Sequence, residues 1–274
     1  MCLISYELIT FYKKEFNLNL PLDLNLIGFL IAAFAVFVIG LAKSSVPAAA
    51  TMPVGLFALV IPAKLSVGAI LPLLILGDIM ALLAYRKAGR WDIVARILPS
   101  VFVGMVIGYF LLSWSTSREV AYVIGAILIF TAIYEIRKRL KHEKLEAHEK
   151  ANLKQRTKLT AQLMGVLVGI MTMTANSAGP IFSLYLLHLQ LPMQTFVGTN
   201  SWLFFIINTS KIPFNAHLGI ITLETLKLAL YLAPFVIIGA LFGQRIMTKL
   251  NQRAFEYAAL ISTLIAGLLL FIPR

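Results

Sequence analysis

The sequence predicts an all-α, polytopic helical membrane protein. Three observations predict it. The chain of 274 residues is 59% hydrophobic and only 13% charged, with a mean hydropathy of +0.87. A soluble domain is closer to half apolar and a quarter charged, so this chain lacks the polar surface to face water. Its apolar residues fall into runs near 26–42, 66–85, 95–113, 119–136, 160–175, 196–214, 225–244 and 254–272. Each is about long enough to cross ~30 Å of hydrocarbon at ~1.5 Å per residue. Regularly spaced turn signals and ~10-residue alternation are missing, which favours helices over a transmembrane barrel.

Taken in order, residues 1–23 form an N-terminal segment of mixed polarity. It has no basic start, apolar centre or small-residue cleavage site, so it is not read as a signal peptide. A first membrane unit covers 24–136 and a second 159–274, separated by a basic loop at 137–158 with nine Lys/Arg against three Glu. Within each unit a full apolar run meets a polar, small-residue break, "KSSVP" at 43–47 and "TANSAGP" at 174–180. A shorter apolar run follows, 46–61 or 178–190, ending near Pro62 or Pro192. These short runs are either short crossings or re-entrant hairpins, and sequence does not decide between them. Longer spans then complete each unit.

Charge sets the orientation. The loop at 137–158 and the basic clusters at 85–96 and 243–253 are assigned to the cytoplasm by the positive-inside bias. The membrane is expected to be the inner, plasma membrane. The net charge of +12 is thereby a topology signal, and no nucleic-acid partner is expected.

The two units repeat each other. "PAKLSVGAILPLLILGD" from Pro62 aligns with "PMQTFVGTNSWLFFIIN" from Pro192. Val67-Gly68 pairs with Val197-Gly198, Asp78 with Asn208, and Gly89 with Gly219. A later run in each unit carries Pro-x4-Gly-x3-Gly: Pro99, Gly104 and Gly108, then Pro234, Gly239 and Gly243. Small residues four apart let helix backbones approach closely. With the charge-based orientation, the first unit runs from outside to inside and the second from inside to outside. The prediction is two inverted repeats of about five segments each, an arrangement that places a binding site at midplane between broken helices.

The breaks carry the chemistry. A broken backbone at membrane depth survives only where protein or water satisfies its polar groups, and it presents helix N-termini that favour anions. Pro47 and Pro180 suit the first turns of the following helices. Ser44, Ser45, Asn176 and Ser177 are candidate hydrogen-bond donors, and Lys43 adds positive charge in the first break. Asp78 and Lys211 lie inside their spans, where an ionisable residue is by default a site hypothesis. Asp78 is the candidate proton carrier or lysine partner. Asn200, Tyr185 and Trp202 are secondary candidates for cavity lining, and His188 and His217 are read as interfacial.

No His-Glu-x-x-His, Gly-x-Ser-x-Gly or P-loop motif occurs. The single cysteine, Cys2, excludes an internal disulfide and a cysteine-based metal cage. An enzyme is not expected, nor is a cofactor or metal.

The stretch from Gly40 to Gly108 and the stretch "TANSAGPIFSLYLLHLQLPMQTFVGTNSWLFFIINTSKIP" resemble the two halves of the sulfite exporter TauE/SafE family, also called the toluene sulfonate uptake permease family. The resemblance covers about residues 26–272. Its most specific pieces are the Lys-small-small-x-Pro break at 43–47, Tyr-Arg-x-x-Gly-x-Trp at 85–91, Asn-x-Ala-Gly-Pro at 176–180 and Asn-x-x-Lys-x-Pro at 208–213. It implies an inner-membrane carrier of small anions, chiefly sulfite, sulfoacetate and related sulfonates. Carried over residue by residue, it assigns Lys43, Ser44, Ser45 and Pro47 to the first break. Asn176, Ser177, Gly179 and Pro180 belong to the second, and Asn208 and Lys211 to the polar face of a later helix. One departure stands out: Ser44, Ser45 and Ala48–Ala50 occupy a break that is commonly glycine-rich, which implies a narrower cavity or one that offers hydroxyls.

The expected function is therefore alternating-access transport of a small sulfur-containing anion such as sulfite, a thiosulfate-like ion or an organosulfonate, with export the expected direction. A carboxylate carrier and an anion channel fit the same residues. The expected partners are the anion and the lipid bilayer, and a homo-oligomer is left open.

Overall fold

The computed structural model describes residues 21–45, 51–142, 158–189, 191–246 and 252–272. They form helices connected by short links, and no β-strand occurs among the described residues. The helices are α1 (Leu26–Ser44), α2 (Met52–Val60), α3 (Ala63–Ala69), α4 (Leu71–Tyr85), α5 (Trp91–Trp114), α6 (Ser117–His142), α7 (Lys158–Ala175), α8 (Gly179–His188), α9 (Met193–His217), α10 (Leu223–Ile246) and α11 (Gln252–Leu269). The all-α expectation holds. Pro47, Ala48–Ala50, Cys2 and residues 143–157 of the basic loop lie outside the described residues.

Five stretches among the described residues are long and apolar enough to cross a bilayer: Leu26–Ser44, Ala63–Ala88, Trp91–Trp114, Ser117–Tyr134 and Leu223–Arg245. The predicted run at 196–214 lies within α9, which has 25 residues and so ample length. It does not qualify by apolarity, because Asn200, Asn208, Lys211 and Asn215 lie along it, all buried. The two short segments become α2, with 9 residues, and α8, with 10. At ~1.5 Å per residue each covers only about half of the hydrocarbon thickness.

Local chemistry sets the helix ends. Asn25 caps α1, its side-chain oxygen accepting from the Gly28 amide at 2.7 Å, which satisfies one of the free N–H groups of the first turn. Pro72 in the first turn of α4 cannot donate to the preceding turn. The chain is therefore jointed at Ile70, between α3 and α4. Pro180 sits in the first turn of α8, as expected.

The same packing recurs at matching positions of the two units. The most extensive helix contacts join α5 to α7 and α1 to α10, each pairing one unit with the other. Both depend on glycine. A Cβ on Gly104 would lie 2.0 Å from the Val166 carbonyl oxygen, and one on Gly239 would lie 2.1 Å from that of Phe37. From the facing helices, a Cβ on Gly169 would meet the Val101 oxygen at 2.1 Å, and one on Gly40 the Val236 oxygen at 2.0 Å. Along α5 and α10, Val101 corresponds to Val236 and Gly104 to Gly239. Along α1 and α7, Phe37 corresponds to Val166 and Gly40 to Gly169. The same backbone-to-backbone contact is thus made twice. The Val-Gly pairs behave alike: Gly198 in α9 backs onto Tyr85 at the end of α4 and Gly89 just after it, and Gly68 in α3 onto Ile220, in the link after α9.

Candidate functional site

Three charged side chains are buried among the described residues: Lys43, Asp78 and Lys211. They come from the end of α1, the middle of α4 and the second half of α9. Burying a charge is costly unless it is paired and hydrogen-bonded, so each needs an explanation.

Lys43 donates to Asp78 Oδ1 at 2.6 Å, with side-chain exposures of 7% and 0%. Its ammonium also lies 4.6 Å from the centre of the Phe204 ring, where the ring's negative face attracts a cation. The sequence reading placed Lys43 in the break. Instead it stands in the last turn of α1, and its side chain turns inward to Asp78. Asp78 completes its partners through Oδ2, which accepts from Asn208 Nδ2 at 2.7 Å. Asp78 and Asn208 are the positions that correspond in the two units, so the duplicated positions touch each other.

Lys211 has a different set of partners. It donates to the Thr172 carbonyl at 3.0 Å, to Thr172 Oγ1 at 3.2 Å and to Asn208 Oδ1 at 3.2 Å. It also donates to Asn176 Oδ1. All four are acceptors and all are neutral. Such a shell suits an ammonium, which has three donors and no acceptor.

Asn176 joins the two units. Its Nδ2 donates to the Val67 carbonyl in α3 at 3.0 Å, while its oxygen receives Lys211. Its φ is 50°. This left-handed conformation ends α7, and asparagine adopts it at less cost than most side chains. The break therefore depends on this residue type twice, for its backbone and for its two-ended amide.

A cavity of about 20 Å³ opens among these groups, lined in part by Lys43, Thr172, Asn176, Gly179, Asn200 and Asn208. That is about the space of one water. Phe204 and Leu74 form its apolar wall. The cavity thus lies between the end of α1, the break between α7 and α8, and the polar face of α9.

Of the sequence-predicted residues, Lys43, Asp78, Asn176, Gly179, Asn208 and Lys211 come together here. Pro180 is buried in the first turn of α8. The Ser44 and Ser177 hydroxyls are buried without a hydrogen-bond partner among the described residues. Ser45 departs from its expected role as a free donor. Its hydroxyl donates to the Leu41 carbonyl one turn back, at 2.7 Å, because a serine at a helix end reaches its own fourth-preceding carbonyl. Asn200 lines the cavity as anticipated. Trp202 instead packs on Trp91, with ring centres 4.5 Å apart, and donates to the Arg86 carbonyl. Tyr185 stacks on Phe182.

Sequence reasoning missed Thr172, Phe204 and Asn215. The 4-4-3-4 spacing of Asn200, Phe204, Asn208, Lys211 and Asn215 marks one face of a helix, a signal that would have found two of them. Asn215 is fully buried, and both ends of its amide lack a partner among the described residues. Thr172 has no such signal, since only the fold brings it to Lys211.

The family model described as Sulfite exporter TauE/SafE matches residues 27–270. No curated protein and no solved structure matches the chain.

Proposed function

The chain belongs to the sulfite exporter TauE/SafE family, and from that premise we propose that it is a secondary transporter that exports a small sulfur-containing anion across the inner membrane. Sulfite, a thiosulfate-like ion or an organosulfonate such as sulfoacetate is the substrate class. One observation carries the reading: Lys43, Asn176 and Asn208 line a small cavity beside the second helix break, and the buried Asp78 and Lys211 are hydrogen-bonded directly to these lining residues. An oxyanion there would accept hydrogen bonds from Lys43, Asn176 and Asn208, with Lys211 supplying positive field behind the two amides. Ser44 and Ser177, whose hydroxyls have no other partner among the described residues, are donors for the same anion as it passes the breaks.

The cavity holds about one water and is too small for a tetrahedral oxyanion. Substrate entry therefore requires the surrounding helices to part. Movement of one unit against the other supplies this in an alternating-access cycle, with Gly179 and Pro180 at the hinge-like start of α8. An anion leaving a cell with a negative interior is driven outward by ~2.3 kcal/mol per charge per 100 mV, so export needs no coupled ion. In this reading the units 24–136 and 159–274 are inverted repeats and the 137–158 loop is cytoplasmic.

The test is binding of sulfite, thiosulfate, sulfoacetate, sulfate, acetate and phosphate to purified protein, beside Lys43→Ala and Lys211→Ala. Binding of a sulfur oxyanion by the wild type and its loss in both variants is expected. A preference for acetate, or equal binding without either lysine, would refute the assignment.

A further inference from the structure

We infer that the buried charges make this a carrier of monoanions, with Asp78 as the residue that rejects dianions. The inference rests on the transport reading above and narrows its substrate class by charge.

Partner chemistry identifies the charge states. Asp78 accepts at both oxygens, from the Lys43 ammonium and from the Asn208 amide, which is the arrangement of an ionised carboxylate. Lys43 is thereby neutralised. Lys211 donates only to neutral oxygens. Lys43, Asp78 and Lys211 are the three buried charged side chains among the described residues. Two positive charges and one negative leave a single uncompensated positive charge beside the cavity, and it resides on Lys211.

A buried site tolerates a net charge poorly. One negative charge from the substrate brings the sum to zero. A second leaves an uncompensated negative charge beside Asp78, in surroundings where Coulomb interactions are several times stronger than in water. Asp78 thus acts against the wrong ion by repulsion, a form of selection distinct from attraction of the right one. Without Asp78 the two lysines together would match a dianion. Within the proposed substrate class the favoured ligands are hydrogen sulfite and singly charged sulfonates, and the doubly charged members, sulfite dianion, thiosulfate and sulfoacetate, are disfavoured together with sulfate.

Methanesulfonate and sulfate separate charge from shape. Both are tetrahedral sulfur oxyanions of similar size, and neither changes charge near neutral pH. The experiment is uptake of each, radiolabelled, into proteoliposomes with the membrane potential held at zero. The wild type is expected to favour methanesulfonate by about tenfold or more, given the strength of an unscreened unit charge at this depth. Asp78→Asn keeps the shape and removes the negative charge, so the preference should reverse toward sulfate. Adding Lys211→Gln returns the sum to one positive charge, and the preference for methanesulfonate should return.

A wild type that takes sulfate equally or better overturns the inference while leaving the transport reading intact. So does an Asp78→Asn protein that is monodisperse and keeps the wild-type preference. Should that variant not fold, Asn176→Asp replaces it: it brings the sum to zero and is expected to abolish uptake of both anions, and unchanged uptake overturns the inference. Transport of sulfite but of neither probe also overturns it. Failure to transport any sulfur oxyanion removes the transport reading and the inference together.

Discussion

Replacing Asn176 tests the second break most directly, because three separable contributions meet in one side chain. Asn176→Ala removes the acceptor for the Lys211 ammonium, and a hydrogen bond to a charged group contributes about 1.5–3 kcal/mol. It removes the donor to the Val67 carbonyl, a neutral bond of about 1 kcal/mol. It also forces an ordinary Cβ residue to hold a φ of 50°, at a cost of roughly 1 kcal/mol beyond that of asparagine. The sum is a destabilisation of about 3.5–5 kcal/mol. Asn176→Gly loses both hydrogen bonds but tolerates the left-handed backbone, so it should be less damaging than alanine by about 1 kcal/mol. Asn176→Asp keeps the backbone preference and the acceptor and adds a negative charge beside Lys211, but it loses the donor to the Val67 carbonyl and sets a carboxylate oxygen against it. It should be less stable than wild type by about 1 kcal/mol or more and lose anion binding. Thermal unfolding of the detergent-purified variants, followed by size-exclusion recovery, gives the stability order. Anion titration of the same samples gives the functional one. Alanine and glycine variants of equal stability would refute the backbone argument, and an alanine variant as stable as wild type would refute the whole account of the break.

Gly104→Ala and Gly239→Ala should be similarly disruptive, since each Cβ would lie about 2 Å from a facing carbonyl oxygen. Circular-dichroism melts that find one variant silent and the other severe would mean that the two helix pairs are not equivalent. Asn215→Leu should stabilise the protein by about 1–3 kcal/mol, because it removes a buried amide with no partner among the described residues. It should also slow transport if the polar face of α9 guides the anion, and both are measurable by thermal shift and proteoliposome flux. Phe204→Leu should retain the cavity wall but lose about 0.5–2 kcal/mol of cation–π attraction to Lys43, read as a lower melting temperature.

The legible part of the site was the set of residues whose type conflicts with its surroundings. Lys43, Asp78 and Lys211 are conspicuous because charge is rare inside apolar runs, and Asn176 and Gly179 because they interrupt one. The alignment of Asp78 with Asn208 was also plain, as were the Val-Gly and Pro-x4-Gly-x3-Gly pairs. The bond of Ser45 to the Leu41 carbonyl was not legible, because its type suits a donor to substrate equally well as a bond to its own helix. Phe204 went unnoticed because an aromatic in a span is ordinary, whatever cation it later meets.

Composition and periodicity alone determined that the chain is helical, that several of its helices are long and apolar enough for a membrane, that residues recur between its two halves and that a helix ends just before Gly179 and Pro180. These follow from the cost of exposing polar backbone to hydrocarbon, which acts on each segment separately. Only the tertiary structure decided the pairings: Lys43 with Asp78 and Phe204, Asp78 with its counterpart Asn208, and Lys211 with Thr172 and the break residue Asn176. A helical pattern fixes which residues share a face, but the partner opposite that face belongs to a helix far away in sequence. Its identity is set by how α1, α4, α7 and α9 are held together, and close glycine contacts fix α1 against α10 and α7 against α5.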